Sequence, residues 1–241
     1  MYGCRLLKGV IRAARPANIP TLFTNAAVVW GAVYGAEVPS VRLFCYVVLM
    51  GLCFYLYGMW ENDRVDARWD AIRYPERPVP SGAVSVSALR LLVLVAGLSG
   101  LLLNMILGGN FVVGALLLIV ISLYNALHKL WRGSVVLMGL CRAGWVLAAG
   151  FVFTYAKGEV SPPSFLLWYA FGLFLFTCVI SCVARRESES CHVQLVVRLL
   201  LSGMCLFDAA WLLRVGGWIW IGAVLLWGGT LLIQKLGCRA T

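Results

Sequence analysis

Eight apolar segments, each near the length of a bilayer-spanning helix, constrain this chain more than any other feature. They run over approximately 18–36, 41–60, 87–107, 110–127, 134–155, 164–184, 193–213 and 216–234. About 20 apolar residues in a helix cross the ~30 Å hydrocarbon layer. Runs such as "VVGALLLIVISL" do not alternate polar and apolar positions as the strands of a membrane barrel do. Helices are therefore expected, with short turns such as "LGGN" and "KGEVSPP" between several of them. Of the 241 residues, 62% are hydrophobic and 12% charged. A soluble domain carries about twice that charged share, and a chain of this size could not hide eight such segments from water. The expected fold class is all-α integral membrane, a bundle of about eight transmembrane helices forming one domain over 1–241.

The net charge of +10 would suggest nucleic acid in a soluble protein. Here the Lys and Arg sit mostly in loops, and no basic stripe carries interleaved aromatics, so no nucleic acid is expected. The N-terminal arm, the 61–86 loop, "HKLWRG", "ARRESES" and the C-terminal tail hold most of the cations, whereas the opposite loops hold Arg42, Lys157 and Arg214. The positive-inside rule then gives both termini on the inner side and an even number of spans. That topology implies a multi-pass protein of the cell inner (plasma) membrane with its charged loops at the cytoplasmic face. Residues 1–17 read as a basic amphipathic arm before an uncleaved first span, since no cleavage-site pattern follows. The nine cysteines lie mainly within apolar runs, without CxxC spacing, and read as small hydrophobes. Cys191 beside His192 reads as a helix start rather than a metal site.

One loop is out of scale. Residues 61–86 hold five of the ten acidic residues: Glu61, Asp63, Asp66, Asp70 and Glu76. Asn62, Asp66 and Asp70 stand at i, i+4 and i+8. If the second spanning helix continues past the membrane edge, they and Asp63 share one stripe. Like charges at this spacing repel, so a countercharge is needed: Arg64, Arg68 and Arg73, or a divalent metal. Hard oxygen donors with open positions suit Mg²⁺, which binds one or two carboxylates together with phosphate oxygens. A salt-bridged surface helix is the alternative on spacing alone.

The segment "NDRVDARWD" resembles the NDxxDxxxD signature of the UbiA superfamily of membrane prenyltransferases. "PERPVPSGAVS", the opening "RPANIPTLFTN" and "YNALHK" at the end of the fourth span resemble that family too, and "MGLCRAG" is similar to its EboC-like branch. The resemblance covers nearly the whole chain. It implies Mg²⁺ held by the acidic motif, a polyprenyl diphosphate donor bound through that metal, ionisation of the allylic C–O bond, and alkylation of a second, usually aromatic, acceptor. Carried over by position, Asn62, Asp66 and Asp70 are the expected catalytic and metal-binding residues, with Asp63 a further metal ligand. Lys129 matches a position expected near the diphosphate. Arg73 and Arg77 suit phosphate contact or neutralisation of the stripe. Tyr57, Trp60 and Tyr124 are candidates for stabilising a carbocation or for ordinary packing.

The family's second acidic motif, DxxxD, is not intact. Its place reads "SCVARRESES", leaving Glu187 as a metal candidate, with Arg185 and Arg186 as the alternative, binding phosphate directly in place of one metal ion. The family commonly has about nine spans, so the last is expected to be absent. Arg142, Arg198 and Asp208 interrupt apolar segments, and charges at such depth default to functional hypotheses. Arg142 and Arg198 suit an anion, and Asp208, near the far face, suits a structural pairing or an outer-interface position. The expected function is prenyl transfer. The alternatives are a lipid-binding or transport component that kept the fold, and another enzyme of diphosphate lipids such as a phosphotransferase.

Overall fold

A computed structural model describes residues 2–35, 40–186, 190–216 and 218–235. Among them every regular element is helical. An amphipathic helix α1 (Tyr2–Ala13) precedes α2 (Pro20–Tyr34), α3 (Val41–Arg73), α4 (Val86–Ile106), α5 (Phe111–Leu127), α6 (Ser134–Lys157), α7 (Ser164–Ala184), α8 (Cys191–Val215) and α9 (Ile219–Lys235). Each apolar segment thus forms one helix, α2 to α9. Helices α3, α4, α6, α7 and α8 are long and apolar enough to cross a membrane, and α5 and α9 are shorter apolar helices.

The bundle is organised around α2, which packs against α3, α6, α7, α8 and α9 and buries ten of its fifteen residues. The outer helices turn apolar side chains outward: Leu91, Leu98 and Leu102 of α4, Val112 and Ile119 of α5, and Leu167 and Phe171 of α7 are all more than half exposed. The polar side chains Asn25, Asn104, Asn125 and Asp208 are buried instead. Apolar outside and selectively polar inside is the arrangement that lipid demands. The chain is a multi-pass membrane protein.

Two ends of the bundle are distinct. At one end Arg15 meets α3, Lys129 meets Asp66, and Arg185 donates to the Trp131 carbonyl and to Ser134 Oγ. At the other, Lys157 Nζ donates to the Val33 carbonyl at 2.7 Å, joining the ends of α6 and α2. Arg15, Lys129 and Arg185, from three separate segments, thus gather at one end of the bundle and Lys157 at the other.

The 61–86 segment is not a loop throughout. Helix α3 runs unbroken for 33 residues to Arg73. About 20 residues suffice to span, so its last turns extend past the bilayer, and the loop proper is 74–85. Glu187 lies outside the described residues.

Candidate active site

The extension of α3 carries the site. Asn62, Asp63, Asp66 and Asp70 are all buried, because the helix face that carries them packs against the arm before α2, the end of α5 and the 74–85 loop. Each acidic group meets a cation from a different segment. Arg15 Nη2 donates to Asn62 Oδ1 at 3.1 Å and lies 3.4 Å from Asp63 Oδ1. Lys129 Nζ lies 2.7 Å from Asp66 Oδ1, and His128 Nε2 lies 3.2 Å from Asp66 Oδ2. Arg77 Nη1 donates to both oxygens of Asp70, at 3.0 and 2.9 Å. The repulsion expected within the stripe is removed in this way.

Local sequence explains how these cations arrive. Arg15 takes a left-handed backbone conformation, φ 46° and ψ 63°, which is uncommon for a residue with a side chain. The chain reverses there between α1 and the Pro16–Asn18 turn, and Tyr55 Oη donates to the Arg15 carbonyl at 2.9 Å. Arg77 is returned to α3 by the turn after Tyr74, whose amide bonds the Asp70 carbonyl at 2.8 Å. His128 ends α5, with Nδ1 3.0 Å from the Asn125 carbonyl, so both of its ring nitrogens face oxygen acceptors.

Burial raises the Asp63 carboxyl above the usual aspartate range, and the opposing pull of Arg15 and Arg77 does not reverse this. Burial also works against ionisation of Asp66, but its bonds to His128 and Lys129 outweigh it and hold that carboxyl below the usual range.

Beneath this shelf lies a cavity of about 130 Å³ lined by α2, α3, α5, α6, α7 and α8. Its wall is mostly apolar, with Leu22, Phe54, Leu117, Trp145 and Met204 among its residues. Asn125 connects cavity and shelf. It lines the cavity, accepts from Asn62 Nδ2 at 3.3 Å and donates to the Gly58 carbonyl at 3.2 Å.

The other sequence candidates fall in different places. Arg73 stacks over Trp69 at 5.0 Å and is not among the cations that meet the stripe. Arg64 pairs with Glu61 within its own helix. Arg186 is exposed just past α7, and Arg198 sits part-way down α8 with its carbonyl accepting from Gln234. Arg142 lines the cavity. Of the three aromatic candidates, Tyr124 lines the cavity and stacks on His128, whereas Tyr57 bonds Ser122 and Trp60 packs near α1. Asp208 is fully buried within the bundle, accepting from Thr24, Asn25 and Tyr169. Structural pairing is therefore its role, and it does not lie at an outer interface.

Sequence reasoning did not single out Arg15, His128 or Asn125 as site residues. The signal for Arg15 was its place directly before Pro16. The signal for the other two was the "YNALHK" segment already noted for Lys129.

Four hard oxygen side chains share one buried face; they are donors of the kind Mg²⁺ takes, and in this structure each is met by a cation. Among the described residues no three His, Cys, Asp or Glu side chains are gathered closely enough to hold a metal by themselves. Mg²⁺ needs only one or two carboxylates when phosphate oxygens and waters complete its shell.

Fold and site together define a multi-pass helical membrane protein with a charge-compensated polar shelf above an apolar cavity. The model of the UbiA prenyltransferase family matches residues 24–239, and the chain belongs to that family. It is 28% identical over 187 residues to a digeranylgeranylglyceryl phosphate synthase from Hyperthermus butylicus, covering 71% of this chain and 60% of that protein. It is 32% identical over 151 residues to the protein of the same name from Methanoregula boonei, covering 58% of this chain and 53% of that one. The chain thus spans somewhat more than half the length of these curated relatives. Its fold is shared with a solved digeranylgeranylglyceryl phosphate synthase, at TM-score 0.60 and 15% identity over 95% of this chain and 88% of the other. It is shared also with a UbiA homologue from Archaeoglobus fulgidus bound to DMAPP and Mg²⁺, at TM-score 0.56 and 14% identity over 95% and 86%.

Proposed function

We propose that this protein is a membrane prenyltransferase, moving a prenyl group from its diphosphate to a second lipid or small-molecule acceptor. The observation that carries the reading is the continuity of polar shelf and apolar cavity through Asn125. An isoprenoid diphosphate is an amphiphile of that shape, with a compact polyanionic head and a long apolar tail. The head would rest at Asn62, Asp66 and Asp70, and the tail would enter the cavity.

Asn62, Asp63, Asp66 and Asp70 are the residues that would hold Mg²⁺, which when bound supplies positive charge to the departing diphosphate. Lys129 and Arg77 sit against those carboxylates and would bind and orient phosphate oxygens. In the reaction the prenyl C–O bond breaks, with its electron pair leaving on diphosphate. A new bond forms between the prenyl carbon and the acceptor nucleophile, whose proton passes to the released diphosphate or to water. Burial of the shelf limits water, which would otherwise capture the allylic carbon. Tyr124 presents an aromatic ring to the cavity beside that point.

The acceptor inferred from the relatives' names is a glyceryl phosphate lipid rather than an aromatic ring. The cytoplasmic face of the cell membrane remains the proposed side of the shelf, on the asymmetry of its basic loops.

The test is turnover of radiolabelled geranylgeranyl diphosphate with Mg²⁺ and an alkylglyceryl phosphate by the purified protein. Diphosphate release and a prenylated product are expected, and Asp66→Ala should abolish both. Phosphoryl transfer would leave the prenyl C–O bond intact. Donor binding without release of diphosphate would make the protein a lipid-binding component.

A further inference from the structure

The shelf accounts for the donor's head, but it leaves one cation in the cavity without a role. Arg142 projects from α6 about two turns past its start, ~12 Å along the axis. It lines a cavity whose other walls are mostly apolar. Its two hydrogen bonds both come from Nη1, to Thr21 Oγ1 at 3.2 Å and to Asn25 Oδ1 at 3.3 Å. Its Nε and Nη2 have no partner among the described residues, and no described carboxylate lies within ion-pair distance. A guanidinium half-satisfied by neutral oxygens beside an apolar chamber is unfavourable unless an anion completes it.

The side chain is held for that purpose. Asn25 Nδ2 donates to Asp208 Oδ2 at 2.8 Å and to Tyr169 Oη at 3.0 Å, which fixes the amide so that Oδ1 faces Arg142. Tyr169 in turn donates to Asp208 Oδ1 at 2.7 Å. Asp208 thus takes its hydrogen bonds from Thr24, Asn25 and Tyr169; its charge acts on Arg142 through space, but no direct hydrogen bond or ion pair joins the two, and Asn25 lies between them. A guanidinium that merely balanced Asp208 would turn toward it rather than leave Nε and Nη2 open.

Depth separates this cation from the shelf. Arg15, which meets Asn62 and Asp63, precedes Thr21 by six residues and Asn25 by ten. Arg142 instead meets the first turns of α2 itself, at Thr21 and Asn25, whereas Arg15 lies before that helix begins.

We infer that Arg142 binds the anionic headgroup of the acceptor, a phosphate monoester on a lipid, and so brings the acceptor's nucleophile into the cavity beside the donor's allylic carbon. Two N–H groups on one edge of a guanidinium match two oxygens of such a group. This rests on the prenyl-transfer reading, because it assigns the second substrate of that reaction. It makes Arg142 a specificity residue and Asn25 and Asp208 the residues that position it.

The experiment is calorimetric titration of the full chain in phosphatidylcholine nanodiscs with dodecylglyceryl phosphate, dodecylglycerol and inorganic phosphate, and separately with geranylgeranyl diphosphate. The wild type should bind dodecylglyceryl phosphate about tenfold or more tightly than dodecylglycerol. Arg142→Gln should erase that preference and lower geranylgeranyl diphosphate affinity by a much smaller factor, and Arg142→Lys should keep part of the preference. Inorganic phosphate should compete only weakly. Equal affinity of the wild type for the two dodecyl probes overturns the inference whatever the variants do. So does competition by inorganic phosphate as strong as the lipid's own binding, which would make this a free-phosphate site. Equal loss of donor and acceptor probes in Arg142→Gln also overturns it, by giving Arg142 to the diphosphate. If wild-type turnover depends on Asp66 while the phosphate preference is missing, the inference fails alone. If the preference is present and lost in Arg142→Gln but no diphosphate is ever released, the transfer reading fails and the oxyanion site stands.

Discussion

Asn62 and Asn125 bond to each other across the α3–α5 contact, Nδ2 to Oδ1 at 3.3 Å, at the point where the acidic shelf meets the cavity. The second bond of Asn125, to the Gly58 carbonyl, pins it to α3 one turn deeper. Asn125→Leu removes the partner that orients Asn62 and leaves the Gly58 carbonyl with one bond fewer. We expect donor affinity to fall about tenfold, with a stability loss of about 1–3 kcal/mol. Titration with geranylgeranyl diphosphate and thermal unfolding in detergent measure the two effects. Unchanged donor affinity would show that Asn62 is oriented by Arg15 alone.

Lys129 and His128 converge on one carboxylate, Asp66. A double-mutant cycle of Lys129→Met with Asp66→Asn should give a coupling of about 1 kcal/mol, since Lys129 is partly solvated. The same contacts make stability depend on pH. Burial opposes ionisation of Asp66, but His128 and Lys129 hold its carboxyl below the ordinary value of 3.8. A depressed carboxyl stabilises the fold above the ordinary value, and that contribution is lost as pH falls through the lower folded value. Metal-free Lys129→Met should therefore begin to lose stability at higher pH than the wild type. Coincident acid-unfolding curves would contradict this.

Asp208 accepts three hydrogen bonds in full burial. Asp208→Asn turns one acceptor into a donor facing donors. A loss of about 2–4 kcal/mol is expected, seen as a fall of about 5 °C or more in Tm. The preference for dodecylglyceryl phosphate should weaken with it, because Asn25 is no longer fixed. A variant as stable as the wild type would show that the network is dispensable.

Gly51 lets the ring of Trp145 lie directly against α3 at the cavity wall. A β-carbon there would collide with that ring. Gly51→Ala should push Trp145 toward the chamber, at about 1–3 kcal/mol in stability. Affinity for geranylgeranyl diphosphate should fall relative to dimethylallyl diphosphate, whose tail needs less of the cavity. An unchanged ratio of the two affinities would place the tail elsewhere.

Much of this was legible in the sequence because lipid imposes simple rules. Each apolar segment became a helix, since an unpaired backbone is not tolerated in the hydrocarbon layer. The i, i+4, i+8 spacing put Asn62, Asp66 and Asp70 on one face because α3 continues past the membrane, a point that spacing could state only conditionally. Which cations answer that face was not legible. Of the cations on α3 itself, Arg64 pairs with Glu61 and Arg73 stacks on Trp69 instead. Arg15 and Lys129 come from segments distant in sequence, and their arrival depends on the reversal before Pro16 and on the packing of α5. Asp208 looked remote because depth was counted along α8 alone, whereas α2 and α7 bring Asn25 and Tyr169 to it.

Saturable binding of tritiated geranylgeranyl diphosphate to the full chain in phosphatidylcholine nanodiscs with Mg²⁺ tests the shelf itself, independently of any acceptor. The wild type should bind it, and Asp66→Asn combined with Asp70→Asn should weaken binding by about a hundredfold while α-helix content is unchanged. Equal binding by the wild type and the double variant would mean that the buried acidic face of α3 has no part in holding the diphosphate.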